Sequence, residues 1–216
     1  MKHLILFLLS TTMFAQTGSS ISDSSTVKKP FSSGDVEISF VGGYARTTYE
    51  TTYSYLYPNP HESTSKSSAN VIDLGGVIGF YVAEGFSIEP EFKFSYLFGE
   101  SGNSDFIYSL IGNLSYSYLL PESKVALFIR CGYGVANGVP LLPPNNVIYK
   151  ESSDKTSRIF NLGIGTKNFL TENILLRTEL GYTSYSYSNE QKNYGVAGYK
   201  RNYSFVKVLV GLSFLL

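Results

Sequence analysis

Residues 85–99 read GFSIEPEFKFSYLFG, and this stretch limits the possible folds more than any other. Phe86, Ile88, Phe92, Phe94, Tyr96 and Phe98 share one parity, while Glu89, Glu91 and Lys93 share the other. Successive side chains of a β-strand point to opposite faces. One face of this strand is therefore aromatic, and the other carries three charges. In a water-soluble protein the aromatic face would be the core. In a membrane barrel the polarity is inverted, and the charges need partners in an interior.

The same alternation recurs to the end of the chain. Eight strand-like segments are predicted, at 35–49, 69–82, 86–98, 105–119, 125–136, 157–168, 174–187 and 201–214. Strands in soluble proteins usually run about 5–6 residues, whereas an oblique bilayer crossing takes about 9–11. The connections AEG (83–85), PESK (121–124) and LTEN (170–173) are short. The stretches 50–68, 137–156 and 188–200 are long and polar, with ESGNS (100–104) between these extremes. Short turns at one end and longer loops at the other are what an up-and-down barrel has when one end faces a confined compartment.

The N-terminus, MKHLILFLLSTTMFAQ, has a cationic start and a short apolar run, with Ala15 at a plausible cleavage point. It reads as an export signal over 1–15, too short for a spanning helix. Residues 16–34 are rich in Ser and Thr and read as a flexible lead-in, leaving 35–216 as the barrel. Charged residues are only 16% of the chain and formal net charge is zero, so nothing points to nucleic acid. Cys131 is the single cysteine, so no internal disulfide contributes to stability.

The apolar face meets aromatics near both strand ends. Tyr44, Tyr96, Phe106, Tyr108, Tyr133 and Tyr182 fall toward the long loops, and Phe80, Phe86, Tyr116, Tyr118 and Phe214 toward the short turns. Two aromatic girdles around an aliphatic band suit two membrane interfaces. The alternative is a soluble barrel or sandwich with the same residues as its core.

These features, together with DLGGVIGFYVAEGFSIEPEFKFSY (73–96), resemble small bacterial outer-membrane β-barrels of the OmpA/OmpX and Opa-like kind. The resemblance covers about 35–216. It implies an all-β, eight-stranded antiparallel transmembrane barrel in the outer membrane, inserted as a monomer by the barrel-insertion machinery. Such barrels usually end in an aromatic residue; here Phe214 is followed by Leu215 and Leu216.

With the apolar face outward, the lumen receives Glu37, Asp73, Glu89, Glu91, Lys93, Arg130, Lys167, Arg177, Glu179 and Lys207. The acidic and basic residues are equal in number. An eight-stranded barrel has room only for side chains, and buried charges are costly unless paired. The expectation is an ion-paired plug with no open pore, against the alternative of a hydrated, charge-lined channel. Hairpin folding is expected to set Asp73 near Lys93 and Ser115 near Arg130. It is also expected to place Glu89 across from Ser115, and Arg177 and Glu179 across from Gly165 and Gly163. Pro90 is expected to mark a bulge or bend.

Catalysis needs a base of suitable pKa. His3 leaves with the signal, and His61 sits in the loop YPNPHESTS. No metal spacing or nucleotide loop is present, so no cofactor is expected. The expected role is structural or surface binding rather than enzymatic, carried by loops rich in Tyr49, Tyr53, Tyr55, Tyr57, Tyr185, Tyr187, Tyr194 and Tyr199, and by VPLLPPNNVIY (139–149). Arg46, Arg158 and Lys200 are candidates for contact with anionic outer-membrane lipid, such as lipopolysaccharide at the outer rim. Two other functions fit less of the sequence: an outer-membrane lipid-modifying enzyme, and a secreted lipocalin-like carrier with an apolar interior.

Overall fold

The computed structural model describes residues 29–55, 61–99, 104–137, 156–189 and 196–216. Segments with a period of two, rich in β-branched and aromatic residues, become strands. They are β1 (Val36–Tyr55), β2 (His61–Ala83), β3 (Phe86–Gly99), β4 (Ser104–Leu119), β5 (Val125–Asn137), β6 (Thr156–Phe169), β7 (Ile174–Asn189) and β8 (Val196–Leu215). Each pairs antiparallel with its sequence neighbour, and β1 also pairs with β8, so the sheet closes on itself. A closed ring leaves no edge across the membrane-spanning zone, the condition for crossing lipid with strands.

The polarity is inverted relative to a soluble protein. On β3, Glu89, Glu91 and Lys93 are at most 1% exposed, while Phe92 and Phe94 are 47% and 43% exposed. Every strand repeats the pattern: Phe40, Leu74, Leu110, Ile129, Ile164 and Val210 face outward, and Ser39, Asp73, Ser109, Arg130, Asn161 and Glu179 face inward. This excludes the lipocalin-like arrangement, which needs the apolar face inside. The outer aromatics touch along the girdle: Tyr96 and Phe106 have ring centroids 4.8 Å apart, and Phe94 and Tyr108 5.0 Å apart.

The β2–β3 turn depends on Gly85, whose φ of +74° is in the left-handed region. A Cβ there would also run into the Ser117 carbonyl oxygen. The one register shift in this hairpin lies beside the turn, between Tyr81 and Ala83. At Pro90 the ladder to β2 is interrupted without changing register, since Val77 pairs with Glu91 and Phe80 with Ile88. The bulge expected at Pro90 is therefore not there; the missing N–H removes a bond and adds no residue.

The sequence reading placed several strand ends too low. Thr51–Tyr55 pairs with His61–Ser65, so 50–68, loop one of the four longer connections in chain order, is mostly a hairpin extension. Polar Thr and Tyr alternation hid it, because above the membrane both strand faces tolerate polar residues. Likewise β8 begins at Val196, inside the stretch read as loop four. Tyr49, Tyr53, Tyr55, Tyr187 and Tyr199 thus lie on strands. Tyr57, Tyr194 and VPLLPPNNVIY lie outside the described residues, as do the export signal and residues 16–28. Residues 29–34, read as part of a flexible lead-in, are instead tied to the barrel. Gly34 N–H donates to the Tyr81 carbonyl at 2.8 Å, and Phe31 is buried beneath the strands.

Candidate functional site

All ten charged side chains assigned to the lumen from the sequence are buried there, none more than 2% exposed. Strand alternation puts them inside, and the barrel's curvature brings distant strands within reach. They form three levels along the barrel axis.

At the short-turn end, Lys167 Nζ lies 2.6 Å from Glu37 Oε2 and donates to Tyr81 OH at 3.0 Å and Ser117 Oγ at 3.2 Å. Tyr81 OH in turn donates to Glu37 Oε2 at 2.7 Å. The ammonium also sits over the Phe128 ring, 5.2 Å from its centroid. Such a cation–aromatic contact gains strength where water is excluded.

At mid-barrel, Arg130 bridges two carboxylates, with Nη1 2.8 Å from Glu91 Oε2 and Nε 2.9 Å from Glu179 Oε1. Arg177 Nη2 lies 3.2 Å from Glu179 Oε2 and 3.4 Å from Glu89 Oε2, and its guanidinium stacks 4.5 Å from the Phe128 centroid. Asn113 Nδ2 donates to Glu91 Oε2 at 3.1 Å, and Thr183 donates to Asn161 Oδ1 at 3.0 Å. Charge-assisted bonds of this kind are the strong ones in a dry interior.

Nearer the long loops, Lys207 Nζ lies 3.0 Å from Asp73 Oδ2, and Ser95 donates to Asp73 Oδ1 at 2.6 Å. Lys93 Nζ is 4.0 Å from the same carboxylate oxygen and 5.8 Å from the Tyr185 ring centroid.

Room for these long side chains comes from small residues opposite. A Cβ on Gly163 would strike the Glu179 carboxylate, and one on Gly132 would strike the Asn113 amide. Most of the close ion pairs join strands that are not neighbours in the sheet: β1 with β6, β3 with β5, β5 with β7, β3 with β7 and β2 with β8.

The hairpin expectations divide. Ser115 does pair with Arg130, and Lys93 does reach Asp73. Glu89 pairs with Asn113, not Ser115, because Phe98 pairs with Ser104 and shifts β4 by two residues. Glu179 pairs with Gly165 and Arg177 with Lys167. There Leu170 N–H bonds to the Ile174 carbonyl at 2.8 Å, so the tip shortens to Thr171–Asn173 and β7 moves by two.

Parity reasoning missed the apolar residues that also face inward. Above the charges, Ala45, Ala69, Val71, Leu97, Ile107, Ile111, Ala136, Ile159, Tyr185 and Phe205 form one cluster. Tyr185, read from the sequence as a loop contact, is buried in it. Below the charges, Phe31, Tyr81, Ala126, Leu175 and Leu215 form a second cluster, with Leu119 and Phe169 against it. The signal was present in the inward parity of most strands, where apolar residues stand toward the ends and charged or polar ones in the middle. The upper cluster encloses a cavity of about 10 Å³, room for a single water. His61 is exposed at the start of β2, opposite Tyr55.

No protein family matches the chain, and no curated protein does. Several solved structures are similar to it. The outer membrane protein OprG from Pseudomonas aeruginosa aligns at TM-score 0.48 and 14% identity, over 87% of this chain and 99% of that one. Neisserial surface protein A aligns at 0.45 and 14%, over 82% and 96%. Ail, the attachment invasion locus protein of Yersinia pestis, aligns at 0.39 and 10%, over 85% and 99%. Closed by eight antiparallel strands, apolar toward its surroundings and charged within, the chain is a small β-barrel of the outer-membrane type.

Proposed function

We propose that this protein is a monomeric, non-catalytic barrel of the bacterial outer membrane that binds partners at the cell surface and conducts no ions. The observation that carries the binding role is an extension of three adjacent strands above the barrel. Counted from the upper apolar cluster, β1 continues ten residues past Ala45, β2 eight before Ala69 and β8 nine before Phe205. Among the described residues, β3 to β6 continue at most three residues past Leu97, Ile107, Ala136 and Ile159. At about 3.3 Å per residue the extension stands roughly 25–30 Å along the strands.

This sheet is built from Ser, Thr and Tyr, with contacts such as Thr52 Oγ1 to Thr64 Oγ1 at 3.2 Å and Ser186 to Asn202 at 3.2 Å. Above Ala69, β2 pairs with β1 and, among the described residues, with no second strand. An exposed strand edge accepts an extended segment of another protein by strand addition. Arg46 and Arg158, both exposed on the outer face near the rim, support contact with anionic lipid headgroups there.

The absence of conduction is supported by the two apolar clusters that, among the described residues, bracket the charges. Two measurements test the reading. Replacing Glu50–Lys66 by a two-residue Asn-Gly turn is expected to abolish adhesion of expressing cells while the barrel keeps its heat-modifiable gel migration. Adhesion unchanged by that replacement would overturn the binding role. Refolded protein in planar bilayers is expected to give no stable single-channel steps, and large steady steps would overturn the closed interior.

A further inference from the structure

The lower mouth of the barrel is closed by a piece of chain that belongs to no strand. Lys29–Gly34 runs beneath the short-turn end and places Phe31 inside, 1% exposed. Its ring packs 5.3 Å from Tyr81 and 5.6 Å from Phe169, centroid to centroid, beside Ala126, Leu175 and Leu215. Directly above it lies Lys167 Nζ, 5.3 Å from the ring centroid. Among the described residues, Phe31 and the apolar side chains around it are the last layer below the lowest ion pair, Lys167 with Glu37.

Besides the ring's burial, a short set of hydrogen bonds holds this layer, including Ser32 N–H to Asp35 Oδ2 at 2.9 Å. Gly85 N–H donates to the Phe31 carbonyl at 2.8 Å, Gly34 N–H to the Tyr81 carbonyl at 2.8 Å, and Ser33 Oγ to the Val82 carbonyl at 3.2 Å. Lys29 and Glu84 approach to 3.7 Å with both side chains largely exposed, a contact of small worth in water. Phe31 itself has a φ of +64°, the left-handed region that bulky residues seldom occupy, and Gly34 follows at +94°. A strained aromatic residue persists only where its surroundings hold it. Here the holding force is the ring's burial. The strands, by contrast, are tied on both sides by the closed ladder.

We propose that Lys29–Gly34 is a hinged cork for the short-turn mouth, with Phe31 as its seal, which opens while the strands stay paired. Opening exposes Lys167, Glu37, Tyr81 and Ser117, an ion-paired and hydroxyl-bearing layer otherwise shut from water.

The test uses the full chain with Cys131→Ser, which removes the single native thiol, and Ser117→Cys, a near-isosteric reporter beside Lys167. A negatively charged, water-soluble methanethiosulfonate is the probe. With Phe31 in place the reporter is expected to react slowly. Phe31→Gly keeps the left-handed backbone accessible and deletes the seal, and the reaction is expected to run at least about ten-fold faster with heat-modifiable migration unchanged. Equal rates in the two proteins would overturn the proposal. Should Phe31→Gly fail to fold, hydrogen exchange on the unmodified protein decides. The amides of Gly34 and Gly85 are expected to exchange at least about a hundred-fold faster than those of Ile111 and Leu162 in the ladder. Protection of Gly34 and Gly85 equal to the ladder's would make the segment a fixed part of the barrel and overturn the cork.

Discussion

Arg130→Met removes a buried charge while keeping most of the side chain's length and volume. The wild-type guanidinium serves Glu91 at 2.8 Å and Glu179 at 2.9 Å, all three groups being fully buried. After substitution Glu179 keeps Arg177 at 3.2 Å, but Glu91 keeps only the Asn113 amide at 3.1 Å as a close hydrogen-bond partner. Removing one member of a buried pair costs about 3–5 kcal/mol, because the other charge stays desolvated. With two carboxylates affected, the upper part of that range is expected, about 4–5 kcal/mol. Reversible urea unfolding in lipid vesicles, read by gel migration without heating, measures it. For a urea dependence of about 1–3 kcal/mol per molar, the midpoint falls by roughly 1.5–4.5 M. The triple variant Glu91→Gln, Arg130→Met, Glu179→Gln removes the stranded charges and is expected to recover most of the loss, since a neutral replacement of a buried pair is often tolerated. A loss below about 1 kcal/mol for Arg130→Met would refute the reasoning that desolvation sets the cost. So would a triple variant as unstable as the single one.

Three further outcomes are expected. Gly165→Ala drives a Cβ into the Thr178 carbonyl, the Phe128 ring and the Glu179 backbone, costing about 1–3 kcal/mol in the same unfolding assay. Gly76→Ala meets nothing within 4 Å and is expected to stabilise by up to about 1 kcal/mol, because it restricts the unfolded chain. Leu110→Arg, on the exposed apolar belt, is expected to cost about 2–4 kcal/mol in a bilayer and far less if that face met water. Cys131 is exposed on the same outer face, so in vesicles it is expected to react with an apolar maleimide and to resist a charged one. Full-rate labelling by the charged reagent would place that face of β5 in water.

Alternation made the fold legible, because in a barrel parity alone decides which side of the wall a residue occupies. Glu89, Glu91 and Lys93 were recognisable as interior residues from three consecutive charges opposite an unbroken aromatic row. The levels were less legible. Strand register depends on turn closure at single residues, and the Leu170–Ile174 bond moved Arg177 and Glu179 by two positions. The ends of the lumen were harder still. Parity marks Val71, Leu97 and Ile159 as inward, but only curvature shows that they meet as a layer. Phe31 lay in a Ser-rich stretch with no periodicity, so nothing local distinguished it from the residues around it. The extension of β1 and β2 was hidden for a different reason. Thr, Tyr and Ser suit a strand with water on both faces as well as they suit a loop.

Because most of the close ion pairs cross between strands that are not neighbours, no single hairpin can form those. Glu37 waits on β1 for Lys167 on β6, and Asp73 on β2 for Lys207 on β8. The seam closes between segments far apart in the chain: Ser39 and Ser213, bonded at 2.7 Å, lie 174 residues apart. Closing a loop of that length costs roughly 3 kcal/mol more chain entropy than closing a turn of a few residues. Hairpins therefore form early and the ring shuts late. An arc that lacks β8 leaves Asp73 without Lys207, the cation nearest to it. That part of the attraction arrives only at closure. The charged interior thus favours the whole cylinder over one that lacks its last strand.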